Sequence, residues 1–231
     1  MSELAELNPA ELNPAARLEE IQKLPVDAQL VHSNLPLDWA VRVAQFNPLR
    51  TYKLLENPSE PLWALENHAW VLQLFPYSRI CLARYTKLPR YIVEVLWTSD
   101  YTPIRHALAE NVGVPADFLA QVFEETFHAW ADAEWDSVSD SLLKNPRLPQ
   151  HLIDRAAAPE GWRYHAKVAL STRVKPADLE RLATSSDIVV VRHVAINLST
   201  PTKLLRQLLK HADVHVRHHA ATTLTRKGVL L

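Results

Sequence analysis

Glycine and cysteine are both scarce in this chain. Its 231 residues include three glycines, Gly113, Gly161 and Gly228, and one cysteine, Cys81. With so few glycines the chain has no Gly-x-Ser-x-Gly nucleophile elbow, phosphate-binding loop or dinucleotide fingerprint. One cysteine excludes an intramolecular disulfide and any all-cysteine metal site, which is typical of a protein in a reducing compartment.

Long apolar runs and a secretory signal are also missing. No segment approaches the roughly 18 apolar residues that a membrane span requires. The chain begins Met-Ser-Glu-Leu-Ala-Glu-Leu, with acids where a signal peptide carries positive charge. We therefore expect a cytoplasmic protein without a membrane partner.

Charge is nearly balanced over the whole chain but unevenly distributed. The formal net charge is −1, yet residues 1–140 contain 10 Lys+Arg against 20 Asp+Glu, and residues 141–231 contain 15 against 6. A basic half attracts acidic surfaces that an acidic half repels, so the asymmetry bears on partners rather than on fold.

Proline is abundant, with 16 residues, and seven of them recur at a regular spacing. The steps between them are 25 to 28 residues, except for one step of 34. Because proline is well tolerated in the first turn of a helix, each one is predicted to open a helix, here named helix B; Thr200 is expected to cap the last of these. The seven are Pro36, Pro61, Pro89, Pro115, Pro149, Pro176 and Pro201.

Apolar residues keep a constant distance from these prolines. Three, four and seven residues after each proline the chain is apolar, apart from Glu180 and His68, which is the buried stripe of an amphipathic helix. A second apolar pair stands seven and six residues before each proline from Pro61 on and predicts a shorter preceding helix, helix A. Four residues before the proline, asparagine recurs at Asn57, Asn111, Asn145 and Asn197. Asparagine tolerates left-handed backbone and bonds to nearby backbone, so it is expected to end helix A.

The pattern is clearest in Val194-Ala195-Ile196-Asn197-Leu198-Ser199-Thr200-Pro201-Thr202-Lys203-Leu204-Leu205. It resembles the leucine-rich repeat variant family, a relative in style of HEAT and armadillo repeats, over roughly residues 27–225. The resemblance implies an all-α protein: a right-handed α-solenoid of about seven stacked two-helix repeats with a role in interaction. It carries over no catalytic residue and no cofactor.

Two segments depart from the repeat. Residues 1–26 contain a small duplication and a helical pattern, and are expected to form an N-terminal cap before a single solenoid domain at 27–231, because a terminal repeat needs a polar outer face. Residues 124–140 hold the extra length of the 34-residue step, together with Trp130 and Trp135. Such an insertion is either a binding feature or a longer helix pair with inward-packed tryptophans.

The B helices of stacked-helix proteins line the concave wall that grips partners. Positions two, five, six and nine after each proline are predicted to point away from the buried stripe. For Trp63 and Trp70 the alternative is that they cover an edge of the core. The candidate binding residues are Trp63, Trp70, Tyr91, Glu94, His151, Arg155, Arg181, Lys203, Arg206 and Lys210.

The C-terminal histidines and Cys81 are better explained by the repeat and by core packing than by a metal-binding or catalytic role. The histidines at 211, 215, 218 and 219 suggest a metal site, but Arg192-His193 and Arg217-His218 are the same dipeptide 25 residues apart, so the repeat accounts for much of the cluster. Cys81 lies beside Leu82 and Ala83, where a thiol acts as a small buried hydrophobe. We expect no metal and no catalytic residue.

Three functions follow from this pattern. The first is a non-enzymatic protein interaction scaffold that binds through the concave face. The second is nucleic-acid binding by residues 141–231, with a HEAT-like DNA glycosylase as its enzymatic form; the sequence pI of about 6.8 argues against wrapping DNA along the whole chain. The third is head-to-tail association of acidic and basic halves.

Overall fold

A computed structural model describes residues 14–32, 35–66, 69–128 and 133–229. Throughout these ranges the backbone forms helices, turns and loops, without a β-strand. The predicted all-α class is therefore confirmed. Two compact units divide the chain, one ending at Pro115 and the other beginning at Ala116.

The first unit contains seven α-helices and two 3-10 helices within its described residues. The α-helices are α1 Pro14–Gln22, α2 Val26–Leu30, α3 Leu37–Phe46, α4 Glu60–Glu66, α5 Pro76–Ala83, α6 Arg90–Trp97 and α7 Thr102–Glu110. The 3-10 helices are Pro48–Glu56 and Trp70–Gln73. Part of the predicted capping segment 1–26 lies outside the described residues.

The second unit continues the alternation of short helices. Its described α-helices are α8 Ala116–His128, α9 Ala133–Lys144, α10 Gln150–Ala157, α11 His165–Val168, α12 Pro176–Leu182, α13 Ile188–Ile196, α14 Thr202–Leu208 and α15 Val214–Arg226. A 3-10 helix, Pro159–Tyr164, precedes α11. Of the insertion at 124–140, residues 124–128 end α8 and residues 133–140 lie in α9, helices that are 13 and 12 residues long. Longer helices agree with both interpretations, so the choice between a binding feature and inward-packed tryptophans stays a prediction.

Each of the seven recurring prolines stands at a helix N-terminus, as predicted. Pro36, Pro89 and Pro149 immediately precede α3, α6 and α10, with φ between −64° and −55°. The ring holds φ near the helical value, and the missing N–H costs nothing where no intrahelical acceptor exists. The capping role expected of Thr200 is wrong, because its hydroxyl donates instead to the carbonyl of Val194 at 2.6 Å.

The core is formed where the two predicted apolar patterns meet. The stripe on α6, Ile92, Val93 and Leu96, is fully buried, and so is the pair Leu82 and Ala83 on α5. Glu180, the polar exception on α12, is exposed. His68, the other exception, lies outside the described residues. Helix B therefore packs its stripe against helix A, which removes both apolar faces from water.

Three of the recurrent asparagines connect their helix pair to the preceding one. The side-chain amide of Asn111 donates to the carbonyls of Ala83 and Tyr85, at 2.7 and 2.8 Å, 28 and 26 residues back. Asn197 donates in the same way to Ala169 and Ser171 at 2.7 and 2.8 Å.

Asn57 repeats the arrangement with Leu30 and His32, at 2.6 and 3.1 Å. In each case the side-chain oxygen also accepts from the backbone N–H two residues on. As predicted, asparagine ends helix A: Asn57, Asn111 and Asn197 directly follow the 3-10 helix Pro48–Glu56, α7 and α13. The backbone of all three is extended, with φ between −74° and −67° and ψ between 116° and 129°.

Candidate interaction surfaces

Trp63 and Trp70 do not belong to an exposed face. Trp63 is 3% exposed and Trp70 is 0% exposed. Their rings meet edge to face at 5.9 Å between centroids. Helix α4 ends at Glu66, so Trp70 lies in the following 3-10 helix, which folds back over Trp63. The expected exposure is wrong, and the alternative that both cover the core is confirmed.

The two other candidates of the first unit are only partly available. Tyr91 is half-buried, and its Oη is buried without a hydrogen-bond partner among the described residues. Glu94 is exposed but pairs with Arg90, one turn earlier on α6, at 2.8 Å. An exposed pair of this kind contributes little to stability and leaves the carboxylate within reach of a partner.

Two cations of the second unit are held by neighbouring groups. Nη1 of Arg155 contacts both carboxylate oxygens of Glu124, at 2.5 and 2.6 Å, and the guanidinium lies 4.2 Å from the ring centre of Phe127. Arg181 donates to the carbonyl of Ala157 and to the carboxylate of Asp178. These contacts anchor both side chains, so neither is a free cation on the surface.

The remaining candidates of the second unit are exposed. His151 lies on the outer face of α10. Lys203 and Arg206 lie on α14 and Lys210 follows it, and all three are exposed with no ion-pair or hydrogen-bond partner among the described residues. Lys203 and Arg206, three residues apart, share the side of α14 that is opposite the buried Leu204, Leu205 and Leu208, and Lys210 lies in the turn that follows the helix.

A groove runs beside this cationic row. It encloses about 360 Å³ between the end of α12 and α14. Glu180 and Thr184 form one wall, and Lys203 and Gln207 form the other. It therefore combines one acid and one cation with an apolar surface contributed by Ala183, Leu204 and Leu208.

Whether the two tryptophans of the insertion face a partner or pack inward stays a prediction. Trp130 lies outside the described residues, and of Trp135 only the backbone, within α9, is described.

An exposed apolar cluster in the first unit went unnoticed in the sequence. Phe46 is 86% exposed, and Leu49, Phe75 and Tyr77 are also exposed. Gln45 donates to the carbonyl of Gln73 at 3.2 Å, which brings the end of α3 beside the start of α5. A signal was present: these residues flank Pro48 and Pro76, which open the A helices. In the second unit Trp162 occupies a comparable place after Pro159 and is 66% exposed.

The C-terminal histidines cluster around an ion pair. The ring centres of His215 and His219 lie 6.5 Å apart, and those of His218 and His219 lie 5.9 Å apart. Asp213 accepts from Arg192 at 2.7 Å and from the backbone N–H of Val216 at 2.9 Å, which caps α15. The hydrogen bond from the Arg192 guanidinium holds the pKa of Asp213 far below its ordinary value.

The described ranges show neither a cluster of metal-ligating side chains nor an activated thiol. No three or more His, Cys, Asp or Glu side chains of residues 14–32, 35–66, 69–128 and 133–229 group as a metal would require. Burial raises the pKa of the Cys81 thiol, an effect opposed by nearby Arg84. The net rise favours the unreactive protonated form.

Comparison with known proteins identifies no relative. No family model, no curated protein and no solved structure matches the chain significantly. Among the described helices, none has both the length and the apolar character needed to cross a bilayer.

Proposed function

We propose that the chain is a right-handed α-solenoid of about seven two-helix repeats, related in style to leucine-rich repeat variant, HEAT and armadillo proteins. The asparagine hydrogen bonds support this proposal, because equivalent residues reach back 25 to 28 residues in both units. An interaction that recurs at the sequence period is what nearest-neighbour stacking requires. An experimental structure in which the seven prolines share no common rotation would contradict the architecture.

The solenoid acts, in this proposal, as a non-enzymatic cytoplasmic scaffold that binds a protein through its B helices. One observation carries it: Lys203, Arg206 and Lys210 form an exposed row without partners among the described residues. Cations that the fold does not use for its own ion pairs are available to a ligand, and arginine is enriched in protein interfaces.

Capture of partners from a native cell extract tests the scaffold. The immobilised protein is compared with the variant K203E/K210E, and bound proteins are identified by mass spectrometry. The control, K144E/R226E, changes the net charge equally at two other exposed positions of the second unit. Lys144 gives up an exposed ion pair with Asp140 in this variant, and such a pair contributes little to stability. We expect a reproducible partner to bind the unaltered protein and the control but not K203E/K210E. Equal capture by all three proteins would contradict the B-helix surface.

Nucleic-acid binding by residues 141–231 is the second candidate, because the same three cations would also attract phosphate groups. Binding to a duplex oligonucleotide at low salt, with affinity falling steeply as salt rises, would support it. Absence of any binding at low salt would remove it.

A further inference from the structure

We infer that the groove between α12 and α14 binds an acidic peptide segment of a partner protein, with an aliphatic side chain of that segment inserted between the helices. This inference rests on the proposed scaffold function and names the chemistry of its partner. The occupant is argued from the charges around the groove and from the residues that line it.

The charges near the groove do not cancel. Asp178 is engaged by Arg181, and the carboxylate of Asp187 caps α13 by accepting from the N–H of Val189 at 2.9 Å. Glu180 is then the single acid of residues 176–210 without a partner among the described residues. The side chains of Lys203, Arg206 and Lys210 are exposed and have no partner among the described residues. Unpaired positive charge on α14 and just after it therefore exceeds the negative charge of Glu180. Lys203 lines the groove itself, whereas Arg206 and Lys210 lie outside its lining, within reach of a bound segment that extends beyond it.

The lining suits a peptide. Ala183, Leu204 and Leu208 supply the apolar part of the lining, and Thr184 and Gln207 provide hydroxyl and amide groups that can bond to a peptide backbone. An aliphatic side chain that leaves water for this apolar lining gains hydrophobic contact, while its acidic neighbours meet Lys203 in the wall and Arg206 and Lys210 beyond it.

A nucleic acid suits the groove less well. None of the side chains that line it is aromatic, so bases would find no ring to stack on. The carboxylate of Glu180 stands in one wall and repels a backbone with a charge at every position. A peptide can place an uncharged residue opposite Glu180, which a phosphate chain cannot do.

Fluorescence anisotropy with three labelled probes tests the assignment. The first probe is a glutamate peptide with one central leucine, the second is an all-glutamate peptide of equal length, and the third is a single-stranded DNA oligonucleotide of equal length. We expect the leucine probe to bind most tightly, and its affinity to fall as salt rises because exposed charges are screened.

Two variants separate charge from shape. The affinity for the leucine probe is expected to fall at least about tenfold in K203E/K210E and to change less than about twofold in K144E/R226E. T184W places an indole at the groove without altering the charge. It should lower the affinity for the leucine probe to that for the all-glutamate probe. Circular dichroism confirms that each variant keeps its helix content, so loss of binding is not loss of fold.

Three outcomes overturn the inference: equal binding of both peptides, tighter binding of the oligonucleotide, or insensitivity to K203E/K210E. A different result, capture from the extract, tests the scaffold proposal. If K203E/K210E abolishes capture from the extract while neither glutamate peptide binds the unaltered protein, the scaffold stands and the acidic peptide is the wrong partner class. If neither capture nor peptide binding occurs, both proposals are wrong.

Discussion

A single asparagine connects two neighbouring helix pairs. Its replacement should therefore lower the free energy of unfolding more than the replacement of a surface asparagine. The Asn197→Ala variant loses two donated bonds and the one accepted from Ser199, and takes a donor away from the buried carbonyl of Ala169. We expect urea unfolding to show a loss of about 2–4 kcal/mol.

Asn47→Ala is the matched control, because the side chain of Asn47 makes no capping bond to the following 3-10 helix. Its cost should stay within about 0.5 kcal/mol. Equal losses for the two variants would show that the asparagine bonds between helix pairs do not stabilise the fold.

Two aromatic residues of the first unit illustrate how burial separates a core side chain from a surface one. Trp63→Ala removes a ring that is 3% exposed and should cost about 3–5 kcal/mol, because a cavity remains. Phe46→Ala removes a ring that is 86% exposed and should change the free energy of unfolding by less than about 0.5 kcal/mol. Thermal melts of both variants provide the measurement, and a large loss for Phe46→Ala would place that ring in a core.

At the scale of elements, α15 should make stability depend on pH. Burial lowers the pKa of His219, and positive charge at His218, His215 and Arg192 lowers it further, with Asp213 acting in the opposite sense. Because the unfolded chain then binds the proton more readily, stability falls as pH drops below the ordinary histidine value of about 6.5. The fall continues until the lowered pKa of the folded state is passed.

Melting temperatures measured between about pH 7.5 and 5.5 should therefore decrease on acidification. The His219→Gln variant is expected to weaken this dependence. His151→Gln, at an exposed position of α10, is the control and should preserve it. A pH profile that is the same in His219→Gln as in the unaltered protein would contradict the assignment to α15.

At the scale of the whole molecule, the second unit contains a core of its own. Leu142, Ile153, Val168, Val191 and Leu205 are all buried within it. A fragment spanning residues 116–231 is therefore expected to be helical and to unfold cooperatively, since a region with its own hydrophobic core can fold alone. Circular dichroism with thermal unfolding measures both properties. A fragment without a transition would show that this core depends on residues before 116.

The helices were predictable because their signals act over one or two turns. Proline restricts its own φ, and apolar residues three and four apart share a helical face, so Pro89 and the stripe at Ile92, Val93 and Leu96 predicted α6 directly. The same local rules misplaced Trp70, because α4 ends early and a 3-10 helix follows it.

The candidate site was less predictable because exposure depends on distant neighbours. The sequence pattern predicts that Lys203 and Arg155 are both outward-facing cations. Arg155 is instead held by Glu124, 31 residues earlier, whereas Lys203 has no such partner among the described residues. No local pattern distinguishes these two cases.

Local rules of backbone geometry and side-chain spacing were enough to predict a succession of short helices, many of them begun by a proline and packed through an apolar face. Which side chains remain available to a partner depends on how the helices pack. Burial and ion pairing join residues 20 to 40 positions apart, as Arg192 joins Asp213 and Tyr164 joins Thr126, and these pairings arise only once the helices pack.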